Sequence, residues 1–432
     1  MCPVNVPEVL RNRDFNLYWA GVVFSQIGTR GTVAANLYQV YLLSGSLWQT
    51  GLVGGAQALA LLVLSPLGGA YADRMDRRRL LQGAQALALV VAAVLAVLTL
   101  SGCAESWHVL VSVLLTTAAA TFDQPARQAL IPAMVPRAQL PQAFALLNPS
   151  REVAVLVGPA LAGILIAVGG PGLMYTVDAV TYAALIVVLG LLRVPTLVSE
   201  TPTGSMWNQI VEGARFVAHR RLIWSLMSLD LSATLFGAYR VVLPALALDV
   251  LDVGPTGYGM LSSAPSAGAL LATYVIFRVV DRSRRLGRVV LVSTVLYGVS
   301  AVALAQAPIY VLALVAAGLL GAFDAMATSI RHAAVQLETP DELRGRVSSI
   351  YQMASRGGPA LGDLMIGAVA GVVGPVVALT GGGFVTVAYA ASYLARRTVV
   401  REYVGVEDEA REPTSDEGVD ARPVRSEPRG GQ

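Results

Sequence analysis

From Pro66 to Leu81 the chain reads Pro-Leu-Gly-Gly-Ala-Tyr-Ala-Asp-Arg-Met-Asp-Arg-Arg-Arg-Leu-Leu. An apolar run ends there in small residues, the chain turns through Asp73, Arg74, Asp76, Arg77, Arg78 and Arg79, and another long apolar run begins at Leu80. A charged knot between two such runs is accommodated as a short loop between two membrane helices. Gly69 lets helices approach closely, Asp73 can accept hydrogen bonds from free N–H groups at a helix start, and the arginine cluster holds the loop on the cytoplasmic side.

The pattern repeats along the chain. About twelve apolar segments follow one another, from Leu17–Leu43 to Pro375–Leu394, in a chain that is 55% hydrophobic and 14% charged with mean hydropathy +0.61. An all-α polytopic membrane protein is expected. All 31 basic residues are arginine, which leaves no lysine for a Walker phosphate loop or a Schiff base. ATP-driven transport by this chain alone is therefore excluded, and no enzyme chemistry, cofactor or metal-ligand cluster is indicated. Cys2 and Cys103 fall on opposite sides of the membrane, so no intramolecular disulfide is expected, and Met1–Asn16 is too polar for a cleavable signal peptide.

Arginines cluster between the second and third segments, between the fourth and fifth, after Arg193, over Arg282–Arg288 and over Arg331–Arg346. The alternate loops Ser44–Thr50, Ser101–Trp107 and Asp249–Thr256 have none, which puts both termini in the cytoplasm at a plasma (inner) membrane. Asp281-Arg282 after the eighth segment echoes Asp73-Arg74 after the second. Likewise Gly358-Pro359-Ala360-Leu361 echoes Gly158-Pro159-Ala160-Leu161. The expected organisation is a six-helix half over 1–193, a cytoplasmic linker with a surface helix over 194–221, a second six-helix half over 222–396, and a disordered tail over 397–432.

The spacing Gly69-x-x-x-Asp73-Arg74-x-x-Arg77-Arg78 resembles the loop 2–3 signature of the major facilitator superfamily. Leu10-Arg11-Asn12-Arg13-Asp14-Phe15, Pro125-Ala126-Arg127-Gln128-Ala129 and Thr339-Pro340-Asp341-Glu342-Leu343-Arg344-Gly345-Arg346 look like its enterobactin-exporter-like branch, whose members export siderophores, macrolides and other secondary metabolites. The resemblance implies proton-driven efflux of a siderophore or drug-like metabolite. Its partners would be a lipid bilayer, a small-molecule substrate and protons, with no nucleic acid, and the chain would act as a monomer. It also implies a conformational latch built from Gly69, Asp73, Arg74, Arg77 and Arg78, with Asp281, Arg282 and Arg285 as counterparts; Asp73 would meet the start of the eleventh segment, at its helix dipole or at Arg356 ahead of Arg344 or Arg346, and Asp281 would meet Arg151. An antiporter packing motif survives in part as Gly158, Pro159 and Gly163, mirrored by Gly358 and Pro359. The fourth segment lacks the mid-membrane arginine of drug–proton antiporters, so their coupling chemistry does not carry over. An importer on the same fold, or a sensor or scaffold that no longer transports, are the alternatives.

A charge inside a span costs about 2.5–3.5 kcal/mol on insertion scales, so each such residue needs a cavity or a partner. Arg30 lies roughly 20 Å along its helix from the cytoplasmic end, with Gln26, Thr29, Val33 and Asn36 around the same face. It either anchors an anionic or oxygen-rich substrate or is held in a structural ion pair. Asp230, in the repeat counterpart of that span, could face Arg30 across a cavity and exchange protons, or simply contact water near the interface. Asp363 is a deeper rival proton site, while Asp178 is expected nearer the outer end. Asp123 with Arg127, and Asp324 with Thr328 and Arg331, have helical spacing and are expected to form local ion pairs.

Overall fold

The computed structural model describes residues 8–74, 76–193, 206–283, 285–396 and 398–404, with the backbone alone at 65–74, 206–210 and 281. Its described residues form helices and no strand. The first long helix, α1 (Arg13–Ser44), starts where the Asn12 side chain accepts from the N–H groups of Asp14 and Phe15. It ends at Gly45, whose φ of 59° lets its N–H turn back to the Tyr41 carbonyl. Next come α2 (Leu47–Arg74), α3 (Arg77–Leu100), capped by Asp76, and α4 (Ser106–Met134).

The 52-residue α5 (Leu140–Leu191) folds back on itself. A Cβ on Gly158 would lie 2.6 Å from the Arg30 Cβ, and a Cβ on Gly28 would lie 2.6 Å from Asp178 Oδ1. Residues 158 and 178 thus meet the same turn of α1, whereas a straight helix would hold them about 30 Å apart. The reversal sits at Gly169 and Gly170, where Gly170 takes φ 73° and ψ 177° immediately before Pro171.

An amphipathic helix, α6 (Met206–His219), leads into α7 (Arg221–Phe236). At Gly237 the helix breaks, and it resumes over Leu243–Ala245 and a π turn, Leu246–Val250. The remaining long helices are α8 (Gly254–Arg282), α9 (Leu286–Ala305), α10 (Tyr310–Leu337), α11 (Asp341–Val373) and α12 (Pro375–Ala395). Eight helical segments are long and apolar enough to cross a membrane, the longest of them containing the α5 reversal. Beside the short amphipathic α6, the helices α1, α7 and α11 fall outside this set and carry polar interruptions: charged and polar residues inside α1 and α11, and the early break of α7. Large apolar side chains point outward, among them Val97, Leu271, Phe277 and Phe384, as they do where the solvent is lipid. The chain is an all-α polytopic membrane protein.

Helices α1 to α5 pack among themselves, as do α7 to α12, and α2 with α11 and α5 with α8 join the two sets. One apolar cluster lies wholly within residues 9–192 and another within 217–403. A third draws on both sets, from Ala34, Leu47 and Ala162 to Leu246, Tyr258 and Ile366. The shared cluster lies toward the arginine-free loops. There Gly51 faces Gly367, Gly163 faces Gly259, the Tyr258 hydroxyl donates to the Ala34 carbonyl at 2.8 Å, and Tyr41 donates to Asp249. Toward the arginine-rich end no atom of the described residues outside their own helix lies within 4 Å of a Cβ built on Gly345 or Gly357, and Arg356 is exposed.

Helix α6 lies against α11, with Val217 buried and Arg346 bridging to Glu212 at 2.6 Å. One part of the expected tail is ordered. Val399–Glu402 is helical, Val400 is fully buried, and the Gly287 N–H donates to the Tyr403 carbonyl at 3.2 Å. The apolar pair Val399-Val400 supplies a foothold that the charged composition further on obscures. Residues 405–432 lie outside the described part.

Candidate functional site

The break in α7 builds the centre of the molecule. Unwinding after Phe236 projects Arg240 from a span interior, where Nη2 meets Asp363 Oδ2 of α11 at 2.5 Å. The Val241 N–H lies near that carboxylate, whose Oδ1 has no hydrogen-bond partner. A broken helix exposes unpaired backbone groups, so the place where it breaks suits a polar ligand. Arg240 carries no site role in the sequence reading, although a charge inside an apolar run was the available signal.

Arg30 approaches from α1, and Arg151, Arg240 and Arg356 all lie close enough to repel its charge, with Glu152 opposing them. The four guanidiniums come from α1, α5, α7 and α11, against the two carboxylates Glu152 and Asp363. Among the described residues Arg30, Arg151 and Arg356 have no carboxylate at ion-pair distance. Gly158 holds Arg30 in place, because the close approach of α5 leaves no room for a side chain between Gly158 and the Ile27 carbonyl, Arg30 Cβ and Gly31 N. Its echo Gly358 meets Thr234 Oγ1 of α7 in the same manner, at 2.7 Å from a Cβ on the glycine. Pro159 and Pro359 lie inside their helices beside these contacts. Gly163 instead serves the junction between the sets, against Gly259 and the Pro255 carbonyl.

Beside Arg30 a polar cavity of about 260 Å³ is lined by residues that include Gln26, Thr29, Asn36, Gln85, Asp123 and Tyr182. Asp123 accepts from Gln85 at 2.6 Å and pairs with Arg127 at 2.5 Å, the local ion pair that the i, i+4 spacing suggests.

Asp230 does not face Arg30. It is buried against Arg331, whose Nη2 also donates to Thr328 Oγ1 at 2.9 Å. Arg331 therefore chooses a carboxylate on α7 over Asp324 on its own helix, because the inward face of α10 packs on α7. Asp178 is likewise not at the outer end: it lies against Gly28, in the middle of α1, and is 1% exposed.

The loop residues divide. Arg77 donates to the Ala129 carbonyl at 3.1 Å, and Arg78 donates to the carbonyls of Leu192 and Gly190 at 3.0 and 2.6 Å. Both arginines thus tie the start of α3 to the end of α5 and the last turns of α4. Arg282 and Arg285 are exposed. The side chains of Gly69, Asp73, Arg74 and Asp281 lie outside the described part, and so does any contact of Asp73 with Arg356.

A family model described as a transmembrane secretion effector matches residues 7–424. The chain belongs to the transmembrane secretion effector family of the major facilitator superfamily. Among curated relatives of this secretion effector, the enterobactin exporter EntS of Salmonella typhi is 27% identical over 351 residues, spanning 80% of this chain and 83% of that protein. EntS of Escherichia coli O139:H28 is 26% identical over 362 residues, spanning 80% and 82%. Among solved structures, the nucleoside transporter NupG matches with a TM-score of 0.70 at 15% identity, covering 89% of this chain and 98% of that one. A bacterial homologue of the iron transporter ferroportin in an inward-facing state matches at 0.67 and 15%, covering 88% and 99%. These structures share the fold with the secretion effector, which is a membrane transporter and not an enzyme.

Proposed function

We propose that the chain is a twelve-span, proton-coupled exporter that carries an anionic, oxygen-rich metabolite of siderophore or drug-like type out of the cytoplasm. The observation that carries this reading is the set of four guanidiniums, Arg151, Arg240 and Arg356 all within electrostatic range of Arg30, which outnumber the carboxylates Glu152 and Asp363 beside them. Unpaired guanidiniums in a site of reduced dielectric bind carboxylate or catecholate oxygens through planar, paired N–H groups. Arg30, Gln26, Arg151 and Arg356 contact the substrate, and the Arg240–Asp363 pair forms its floor. Positive-inside bias supports a cytoplasmic location for the arginine-rich end and both termini. That the EntS relatives are enterobactin exporters supports export of a siderophore. In the outward-facing state Asp73 meets Arg356 as a latch, with Asp281 as its pseudo-symmetric counterpart at Arg151.

Everted membrane vesicles test the reading with enterobactin as the probe. An interior made acidic should drive enterobactin inward, and a protonophore should abolish the accumulation. No gradient-dependent accumulation of enterobactin or of a panel of anionic natural products would overturn proton-coupled export.

A further inference from the structure

Apart from the exposed Glu152 beside the arginine cluster, the described carboxylates inside the helix bundle fall into two groups. Asp123, Asp230 and Asp363 each pair with an arginine, and Asp324 lies within electrostatic range of Arg331 and beside Thr328. Asp178 has no such companion. Its Oδ1 accepts from Thr181 Oγ1 at 3.4 Å, and the Thr32 and Tyr182 hydroxyls lie beside the enclosed carboxylate. Every element packed on it can be named. From its own helix come Tyr175, Thr181 and Tyr182; from α1, Gly28 and Thr32; from α3, the apolar Ala88 and Ala92, which cluster with Ala179 and Tyr182. Farther out, Tyr258 faces Tyr175, while Asp123 and Arg127 act on Tyr182 and are committed to each other. Removing the charge of Asp123, Asp230 or Asp363 would strand an arginine inside the bundle, whereas removing that of Asp178 strands nothing.

A route to the cavity is present. The Tyr182 hydroxyl lies 2.9 Å from Thr29 Oγ1, and Thr29, Thr32 and Tyr182 all line the polar cavity that contains Arg30 and Asp123. A route to the moving parts is present too. Gly28 brings the α1 backbone directly against the carboxylate, and Arg30 is two residues further along.

We propose that Asp178 is the site of the coupling proton, exchanged with the cavity through the Tyr182 and Thr29 hydroxyls. The proposal rests on the proton-coupled export reading above. In one cycle the Asp178 carboxylate takes up one proton from the outer side. The same proton leaves to the cytoplasm after the helix sets rock, and no bond to substrate is made. Protonation changes what the α1 turn at Gly28 packs against, so the charge state of Asp178 is felt where Arg30 holds the substrate.

Infrared difference spectra of the purified protein in liposomes, between acid and alkaline pH, read this site directly. One component of the protonated-carboxyl absorption should be lost in Asp178→Asn and kept in Asp363→Asn, with Asp178→Glu shifting that component. Gradient-driven uptake of enterobactin should fall about tenfold or more in Asp178→Asn and recover in Asp178→Glu, with matching size-exclusion profiles as the control for folding. A protonated-carboxyl absorption unchanged between wild type and Asp178→Asn, or uptake by that variant at the wild-type rate, overturns the assignment while leaving proton-coupled export intact. If that component belongs to Asp178 but wild-type uptake ignores the gradient, proton coupling is rejected and Asp178 loses its role in it.

Discussion

Arg30 and Arg240 stand in the same cationic cluster but are held in opposite ways, one without a carboxylate partner and one tied to the nearly inaccessible Asp363. Arg240→Ala leaves the nearly inaccessible Asp363 carboxylate without its partner, and because Arg240 itself is 34% exposed the loss should stay below the roughly 3–5 kcal/mol of a fully buried pair, appearing as a lower melting temperature of the detergent-purified protein. Arg30→Ala strands nothing, so it should leave melting nearly unchanged and raise the apparent Kd for enterobactin instead. Arg30→Lys keeps the charge but loses the planar fork and should recover affinity only in part. Equal destabilisation by Arg30→Ala and Arg240→Ala would show that Arg30 is a structural tie. At this scale the sequence makes the buried charges visible and leaves their partners hidden. Arg331 has Asp324 at helical spacing and pairs with Asp230, 101 residues away. Linear spacing describes one helix face, whereas partner choice depends on which helix packs against that face.

Two elements depart from an unbroken span. The reversal of α5 is legible, because Gly169-Gly170-Pro171 combines a left-handed position with a residue that starts helices. The break in α7 is not, since Gly237 alone among apolar neighbours reads as a tolerated helical glycine, and the unwound stretch is held by Asp363 from another helix. The start of α3 is a third case. Its family signature suggests a latch, and the structure shows Arg77 and Arg78 serving as clasps on carbonyls near the ends of α4 and α5. Hydrogen bonds to a charged group contribute about 1.5–3 kcal/mol each at most, so Arg78→Ala should loosen the end of α5 locally. Hydrogen exchange should quicken at Leu189–Leu192 while the distance between labels on the outer ends of α1 and α7 stays the same. A changed distance with unaltered exchange would assign Arg78 to the latch instead.

Over the whole molecule, the two helix sets meet where small residues face one another, at Gly51 with Gly367, Gly54 with Ala360 and Gly163 with Gly259. The duplicated motifs in the sequence make two comparable sets legible. Which ends touch is not, because an apolar glycine face suits either a helix neighbour within one set or one across the junction. Gly54→Leu, which drives a side chain into the Ala360 carbonyl and the Asp363 side chain, should force the sets apart at this end. Spin labels at Ser46 and Asp252 should then report a longer distance, with slower gradient-driven transport of enterobactin. An unchanged distance distribution would show that the junction tolerates bulk and does not set the resting state. A junction of this kind is a slip plane and not a set of meshed gears. Bulky interdigitated side chains would have to withdraw and repack each time the sets part, and each withdrawal would add to the barrier. Where glycine backbones meet there is little to withdraw and the resistance is the entry of water, but the buried Tyr38–Tyr258 contact and the hydrogen bonds from Tyr258 and Tyr41 across the sets must also be released. The tempo of opening should then follow how readily that seam wets and these contacts part, and one added methyl group could slow or speed the cycle without touching the substrate.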